Sequence, residues 1–528
     1  VTSENGVRAK LRVPLDFLLV SDHATFLGMF KRIEDRDPKI LKTSLGKRWR
    51  KYMDEDDPTL FTEFVDGLNG NLDLTFSKED YVPIWKEITE NVDKFNQPGI
   101  FTAFIGYEWT PMPTGDNMHR VVVFKDDAKL AQKIVPFSAI DSMKPEDLWN
   151  FLKDYNSSTG GEAISISHNS NISGGRMFSL ENSYEEPIDS VYANMRNRWE
   201  PLVEATQVKG DSETHPAISP DDPFADYERW EGNIGRSQTK RLIRISTTGD
   251  CKDPLNYKCY KYKDKERYKG SYVRSGLRRG LEIEKKIGVN PYKFGLIGST
   301  DSHTSLASAE EKNFWGKYSN DSTPEIKDQA IIGDADNSGW SMSAGGLAGV
   351  WAKENNREEI YAAFKRKEVF ATTGPRIRLQ IFGGWDFDGI NAQNYQDIGY
   401  ERGVPMGGDL YQTSLDAGPS FAIRVTKDPV GANLDRAQII KGWIDMEGVT
   451  HEKIFDVAWS DERVEAKDGN LELVGNTVNL NTGTHENSIG ATDFFALWQD
   501  PQFKKSERAF YYLRALEIPT ARHSLLDA

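Results

Sequence analysis

Four of the eight histidines, His23, His119, His168 and His303, stand next to the ends of short apolar runs, together with Asp22, Glu108 and Asp301. Imidazole and carboxylate groups make a mixed nitrogen and oxygen ligand set that suits Zn, Mn or Fe. The clearest unit is Lys-Phe-Gly-Leu-Ile-Gly-Ser-Thr-Asp-Ser-His-Thr at 293–304. Residues 294–297 read as a buried strand, and Gly298, Ser299 and Thr300 turn the chain outward just before Asp301 and His303. The pattern recurs: Asp22-His23 follows the apolar run 14–20, Glu108 ends 101–107, His119 heads 121–124, and His168 ends 163–166. Gathered at the carboxyl ends of parallel strands, such residues form a multinuclear metal site, with a carboxylate bridging ions about 3.5–4 Å apart. His215, His451, His485 and His523 lie in polar stretches or the last segment and read as surface residues.

Strands must alternate with helices to place these groups on one mouth. Helical patterns occur up to about residue 49, around 81–95 with Pro83, Trp85, Ile88 and Val92 on one face, and over 145–155 with Leu148, Phe151 and Leu152. Further helices are expected over 272–287, where Val273, Leu277, Leu281 and Ile287 are spaced to pack on a barrel, and over 357–367. The alternation argues an α/β barrel or sheet across residues 1–375, with insertions at about 181–270 and 318–345. From 376 to 528 the texture changes to strands at 376–382, 420–425, 437–444, 453–459 and 509–516, separated by Gly, Asn and Asp. That spacing reads as an appended β-sandwich, with Gly374-Pro375 as the turn and Arg376 alternatively pointing into the site.

Composition excludes several classes. With 66 basic against 81 acidic residues, a net charge of -15, and no basic stripe, general nucleic-acid binding is not expected. No run reaches the roughly 18 apolar residues of a membrane span. Cys251 and Cys259, close together on a polar loop, favour a disulfide and hence a periplasmic or secreted protein. The polar stretch 333–339 is only a loose likeness of a calcium loop, without the closing Glu.

Ser-Asp-His-x4-Gly at 21–28, the strand-end Glu108, the isolated His119 and His168, and Ser-Thr-Asp-Ser-His at 299–303 together resemble the polymerase-and-histidinol-phosphatase (PHP) superfamily of metal-dependent phosphoesterases. More narrowly, the chain resembles a large bacterial branch catalogued as a domain of unknown function. Its markers here are Pro14-Leu-Asp-Phe, Gly106-Tyr-Glu-Trp-Thr, Gln207-Val-Lys-Gly, the stretch 290–301, Ala371-Thr-Thr-Gly-Pro-Arg and Ala515-Leu-Glu-Ile-Pro-Thr. The resemblance implies a distorted (β/α) barrel of about seven strands with two or three divalent ions, Mn, Zn or Fe, at its mouth. It also implies that Glu108 bridges two ions, that His119 and His168 complete one site, that Asp301 serves another and that His23 and His303 serve a third. Asp22 would orient His23. Lys209 is either a point charge reaching a phosphoryl oxygen or a solvated lysine in a turn.

The superfamily opens on a strand ending in His-x-His, and no His precedes His23. The expectation is that an amino-terminal strand is missing, the alternative being a member that binds fewer ions. Two functions follow. One is hydrolysis of a small phosphate or phosphonate ester by a metal-activated water, for which no Ser, Cys or Asp nucleophile is required. The other is a non-catalytic binding protein with a degraded structural metal site and a recognition sandwich.

Overall fold

The structure, a computed structural model, describes all residues except 1, 3–5, 7, 71–73, 231–242, 245–260, 263, 329–337, 412–416 and 465–470. Cys251 and Cys259, and most of the calcium-like stretch 333–339, lie outside the described residues.

The sheet that carries the candidate ligands has seven strands: β1 (Phe17–Leu19), β2 (Thr102–Trp109), β3 (Arg120–Phe124), β4 (Ala163–Ser167), β5 (Leu202–Gln207), β6 (Gly210–Asp211) and, after the short ribbon β7 (Ile243–Arg244) with β8 (Lys261–Tyr262), β9 (Gly295–Gly298). β1 to β6 lie side by side in chain order, and β9 adds to β5. The β1–β2, β4–β5 and β5–β9 pairs are parallel, while β3 runs antiparallel to both β2 and β4. Of the expected distorted barrel, the described residues form a curled half-barrel of mixed strand direction. Just before β1, Asn355 Nδ2 donates at 2.9 Å to the Asp16 carbonyl, which also accepts the Thr102 N–H of β2, and Arg376 Nη2 donates to the Val13 carbonyl at 2.8 Å. Both bonds hold the segment that leads into β1. The second also places the Arg376 guanidinium at this segment rather than in the site.

Alternation along the strands separates two cores. Ile105, Tyr107, Val122, Phe124, Ala163 and Val203 pack with Trp85, Trp149, Leu152 and Tyr155 from the helices Lys78–Phe95 and Pro145–Thr159. Phe104, Val123, Ile164, Ile166 and Leu202 face the other way, onto Ile360, Tyr361 and Phe364 of the helix Arg357–Arg366. Strand side chains alternate with a period of two, so residues 104 and 108, 119 and 123, 164 and 168, and 202 and 204 share this second face. The site is built on it. Gly106 sits between, where a Cβ would stand 2.3 Å from the Val122 carbonyl oxygen and 2.6 Å from Leu19 Cδ1. Close approach of β1, β2 and β3 at this level therefore requires glycine.

Residues 181–270 are not wholly an insertion. β5 lies within them and is fully buried between β4 and β9. Its apolar run is short and flanked by segments rich in Pro, Asp and Glu, which hides its place in the sheet.

Beyond β10 (Leu347–Val350) and β11 (Val369–Thr372), a separate antiparallel ribbon, the chain forms two antiparallel sheets. One runs β13 (Gly403–Pro405), β12 (Arg378–Gly384), β14 (Ser420–Thr426), β17 (Asp493–Gln499); the other runs β16 (Thr450–Trp459), β15 (Leu434–Ile444), β18 (Arg508–Glu517). Ile381, Phe421, Ile423, Val425 and Phe494 of the first share one core with Leu434, Ala437, Ile439 and Leu513 of the second. This is the expected sandwich, with β13, β17 and the helix Tyr395–Arg402 added to it.

The helix Val273–Ile287 joins the two parts. Val273 and Ile283 enter the larger core, whereas Leu277 and Leu281 face a cleft lined also by Ile381, Phe421 and Leu513 of the sandwich. The spacing of these residues thus serves two surfaces rather than the barrel alone. Beside them Arg274 Nη2 reaches Glu213 at 2.6 Å and Asp222 at 2.8 Å, and Arg514 of β18 holds Asp222 at 2.9 Å. Among the described residues no helix is long and apolar enough to cross a membrane.

Candidate metal centre

Three strands deliver one side chain each to a single point. In the β2–β3 register Glu108 stands opposite Val121, so His119, two residues before Val121, lies diagonally across from Glu108 on the same face. His168 N–H then donates to the His119 carbonyl at 3.2 Å, continuing the β3–β4 ladder by one residue. His119 Nδ1 lies 2.8 Å from Glu108 Oε1, and His168 Nε2 lies 3.8 Å from the same oxygen. Glu108, His119 and His168 are buried, and one ligand atom from each falls within 4.8 Å of the others. Glu108 Oε1 and His119 Nε2 make no aligned hydrogen bond. Buried polar atoms left without partners are costly, and a cation bound among them would satisfy both. The residues fit a divalent metal on that ground.

Electrostatics points the same way. Burial alone would raise the Glu108 carboxyl, but the rings of His23, His119 and His168 outweigh it and hold the group well below the ordinary carboxylate range. Burial pushes His119 down to about 4 despite the attraction of Glu108. For His168 burial is overcome by Glu204, Glu108 and Asp301, which raise it to about 9. The pocket thus draws a positive charge onto His168, the charge a metal would bring while displacing the proton.

The surroundings fix the ligand rings. Glu204, on the same face of β5, accepts from His168 Nδ1 at 2.8 Å, which directs Nε2 toward Glu108. Glu204 is held by the Asn169 backbone N–H at 3.0 Å and by the Ser299 hydroxyl. Asn169 has φ 52° and Asp301 has φ 53°, so the turns after β4 and β9 both use left-handed backbone. Strain of order 1–3 kcal/mol at such residues persists where the surroundings enforce it. Because Glu204 acts through His168, Glu204→Gln is expected to weaken divalent-metal affinity about 10–100-fold. Competition against a fluorescent chelator measures this, and wild-type affinity in the variant would remove the assigned role.

Of the seven residues expected at the site, Glu108, His119 and His168 converge as described. His23 borders them, with Nδ1 3.4 Å from Glu108 Oε2, and its ring centre is 5.7 Å from that of His303. These two rings are the open side, with side chains 27% and 29% exposed. Asp301 Oδ1 lies 3.7 Å from His168 Nε2. Lys209 is buried with its ammonium on Asp301 Oδ2, not solvated in a turn and not extended over an open mouth. Burial pushes its pKa down, against the pull of Asp301.

Asp22 does not orient His23. That part falls to Thr110, whose hydroxyl oxygen lies 2.7 Å from His23 Nδ1 and which donates to the Glu108 carbonyl at 3.1 Å. With its hydroxyl hydrogen directed at the carbonyl, Thr110 offers its oxygen to Nδ1 of His23 and so fixes the ring. Asp22 contributes its carbonyl, which accepts the Glu108 N–H at 2.8 Å.

Sequence reasoning misses Glu204, Thr110 and Lys317. A lone Glu inside the apolar stretch of β5 is the signal for Glu204, since such a residue is buried only with a partner. Lys317, in a loop with no periodicity, has no comparable signal. Two histidines expected at the surface are buried instead. His215 packs its ring 5.5 Å from both Tyr268 and Tyr272, and His523 stacks at 4.0 Å on Phe314 while its Nε2 meets the Met342 carbonyl at 2.8 Å.

No curated protein and no solved structure matches this chain. A family described as a protein of unknown function, DUF3604, matches residues 1–528. The chain belongs to the DUF3604 family.

Proposed function

We propose that the protein is a metal-dependent phosphoesterase of the PHP type, acting on small phosphate or phosphonate esters. The observation that carries this reading is the buried convergence of Glu108, His119 and His168, whose Glu108 Oε1 and His119 Nε2 lack aligned partners. An oxygen and two nitrogens suit Mn, Zn or Fe. A divalent ion there would supply Lewis acidity toward a phosphoryl oxygen and toward water.

The chain's own residues account for the rest. Glu204 keeps Nε2 of His168 turned inward, and Thr110 holds the ring of His23. His23 and His303, on the open side, are placed to meet an entering ester and to donate or accept at its oxygens. Lys209 and Lys317 make the surroundings attractive to an anion although the chain as a whole carries -15. Local cations decide recognition at this distance, because remote surface charge is screened beyond about 8–10 Å.

The test is to strip metal from the purified protein, restore Mn, Zn or Fe separately, and assay aryl phosphate monoesters, diesters and phosphonate monoesters. Turnover of at least one ester class that is lost on chelation and regained with one of these metals is expected. Absence of turnover with every metal and ester class overturns the reading.

A further inference from the structure

We infer that the centre takes a single divalent ion, in the Glu108–His119–His168 pocket, and that the ammonium groups of Lys209 and Lys317 stand at Asp301 in place of a second one. The inference rests on the metal-centre reading above and goes beyond it by fixing how many ions the chain holds.

The argument starts from the oxygens of Asp301. Oδ2 accepts from Gln207 Nε2 at 3.0 Å, from Lys317 Nζ at 2.6 Å and from Lys209 Nζ. A carboxylate oxygen offers about two lone-pair directions. Three donors, two of them cationic, leave none for a metal. Lys317 Nζ is further fixed by the Asp301 carbonyl at 3.1 Å and lies 3.1 Å from His303 Nδ1. Both lysine side chains are buried, 4% and 3% exposed, so these charges are not free to swing into solvent when a metal arrives. Asp301 is also not among the residues whose ligand atoms cluster within 4.8 Å. Only its Oδ1, 3.7 Å from His168 Nε2, faces the pocket.

Charge points the same way at Asp301. Lys209 and Lys317 bring two positive charges to this one carboxylate, so nothing there calls for a further cation. A second ion beside Asp301 would lie within a few ångströms of both ammonium groups, in a buried setting where like charges repel strongly.

The experiment is metal stoichiometry on the full chain. Protein loaded with Mn2+ and dialysed against metal-free buffer is analysed for metal and for protein mass, and its electron paramagnetic resonance spectrum is recorded. One equivalent per chain and the signal of an isolated ion are expected. Two or more equivalents, or a spectrum of exchange-coupled ions, overturn the inference while leaving the metal-centre reading standing. No bound metal overturns both. Among variants, His168→Ala should lose the equivalent and Lys317→Met should admit further metal at Asp301, with circular dichroism reporting whether each is folded. If the variants do not fold, wild-type stoichiometry and spectrum decide alone.

Discussion

Glu108→Gln is expected to strip the centre of metal and to lower ester hydrolysis by more than the roughly 10–100-fold typical of an outer partner. The substitution keeps the shape of the side chain and removes its charge. Among the described residues Glu108 is the one anion that touches His23, His119 and His168 together, at 3.4, 2.8 and 3.8 Å. A neutral amide offers one oxygen, and its NH2 group would face imidazole nitrogens that must themselves act as ligands. The fold should survive, because the Glu108 N–H and carbonyl remain engaged with Asp22 and Ala24. Metal content and kcat/KM on an aryl ester, measured beside circular dichroism, check the expectation. Wild-type turnover in the variant would exclude hydrolysis through this centre.

The second large effect lies below the site. Glu200 is buried and accepts from Arg120 Nε at 2.8 Å, Trp149 Nε1 at 3.0 Å and the Ser167 hydroxyl at 2.9 Å, with Arg196 Nη2 at 3.1 Å. Arg120 follows His119 and Ser167 precedes His168, so one carboxylate ties together the two strands that present the histidines. Glu200→Gln leaves two buried guanidinium groups short of their anion, a change that costs about 3–5 kcal/mol. A lower denaturation midpoint is expected, with weaker metal binding because both histidine backbones loosen. A loss under about 1 kcal/mol would show that the pair does not hold β3 to β4. Burial would raise the Glu200 carboxyl, but Arg120 and Arg196 pull it below its ordinary value of 4.5. Its contribution is therefore fully present above that value and is lost as the pH falls through the lower folded-state pKa.

The residues of the candidate centre, Glu108, His119 and His168, were legible in the sequence because two independent regularities coincide on them. Apolar runs mark the strands, and a polar His, Asp or Glu at the end of each run has no reason to be there for packing. The two sheets of the sandwich were legible for the same reason, through alternation bounded by turn residues. What could not be read is set by contacts between distant segments. Glu204 and Lys317 acquire their parts only when β5 and the loop after β9 meet the β4 turn. The direction of β3 was not legible, because strand direction is not encoded in apolar runs: the Pro/Gly-bearing turn between Glu108 and His119 returns the chain beside β2, making β3 antiparallel. His523 looks exposed by its position near the chain end, yet Phe314 and Met342 cover it from a segment some two hundred residues away.

The charged group formed by Arg274, Glu213, Asp222 and Arg514 bears on how the chain can be divided. Arg274 and Asp222 are wholly out of solvent, and Arg514 comes from the far side of the apparent boundary at Gly374-Pro375. Severing the chain there would strand Asp222 with one arginine and Arg514 with none of its carboxylates, while opening the cleft beside Leu277 and Leu281. Two layers recognisable by texture thus share one buried group of charges, and neither can be detached without leaving some of those charges unpaired.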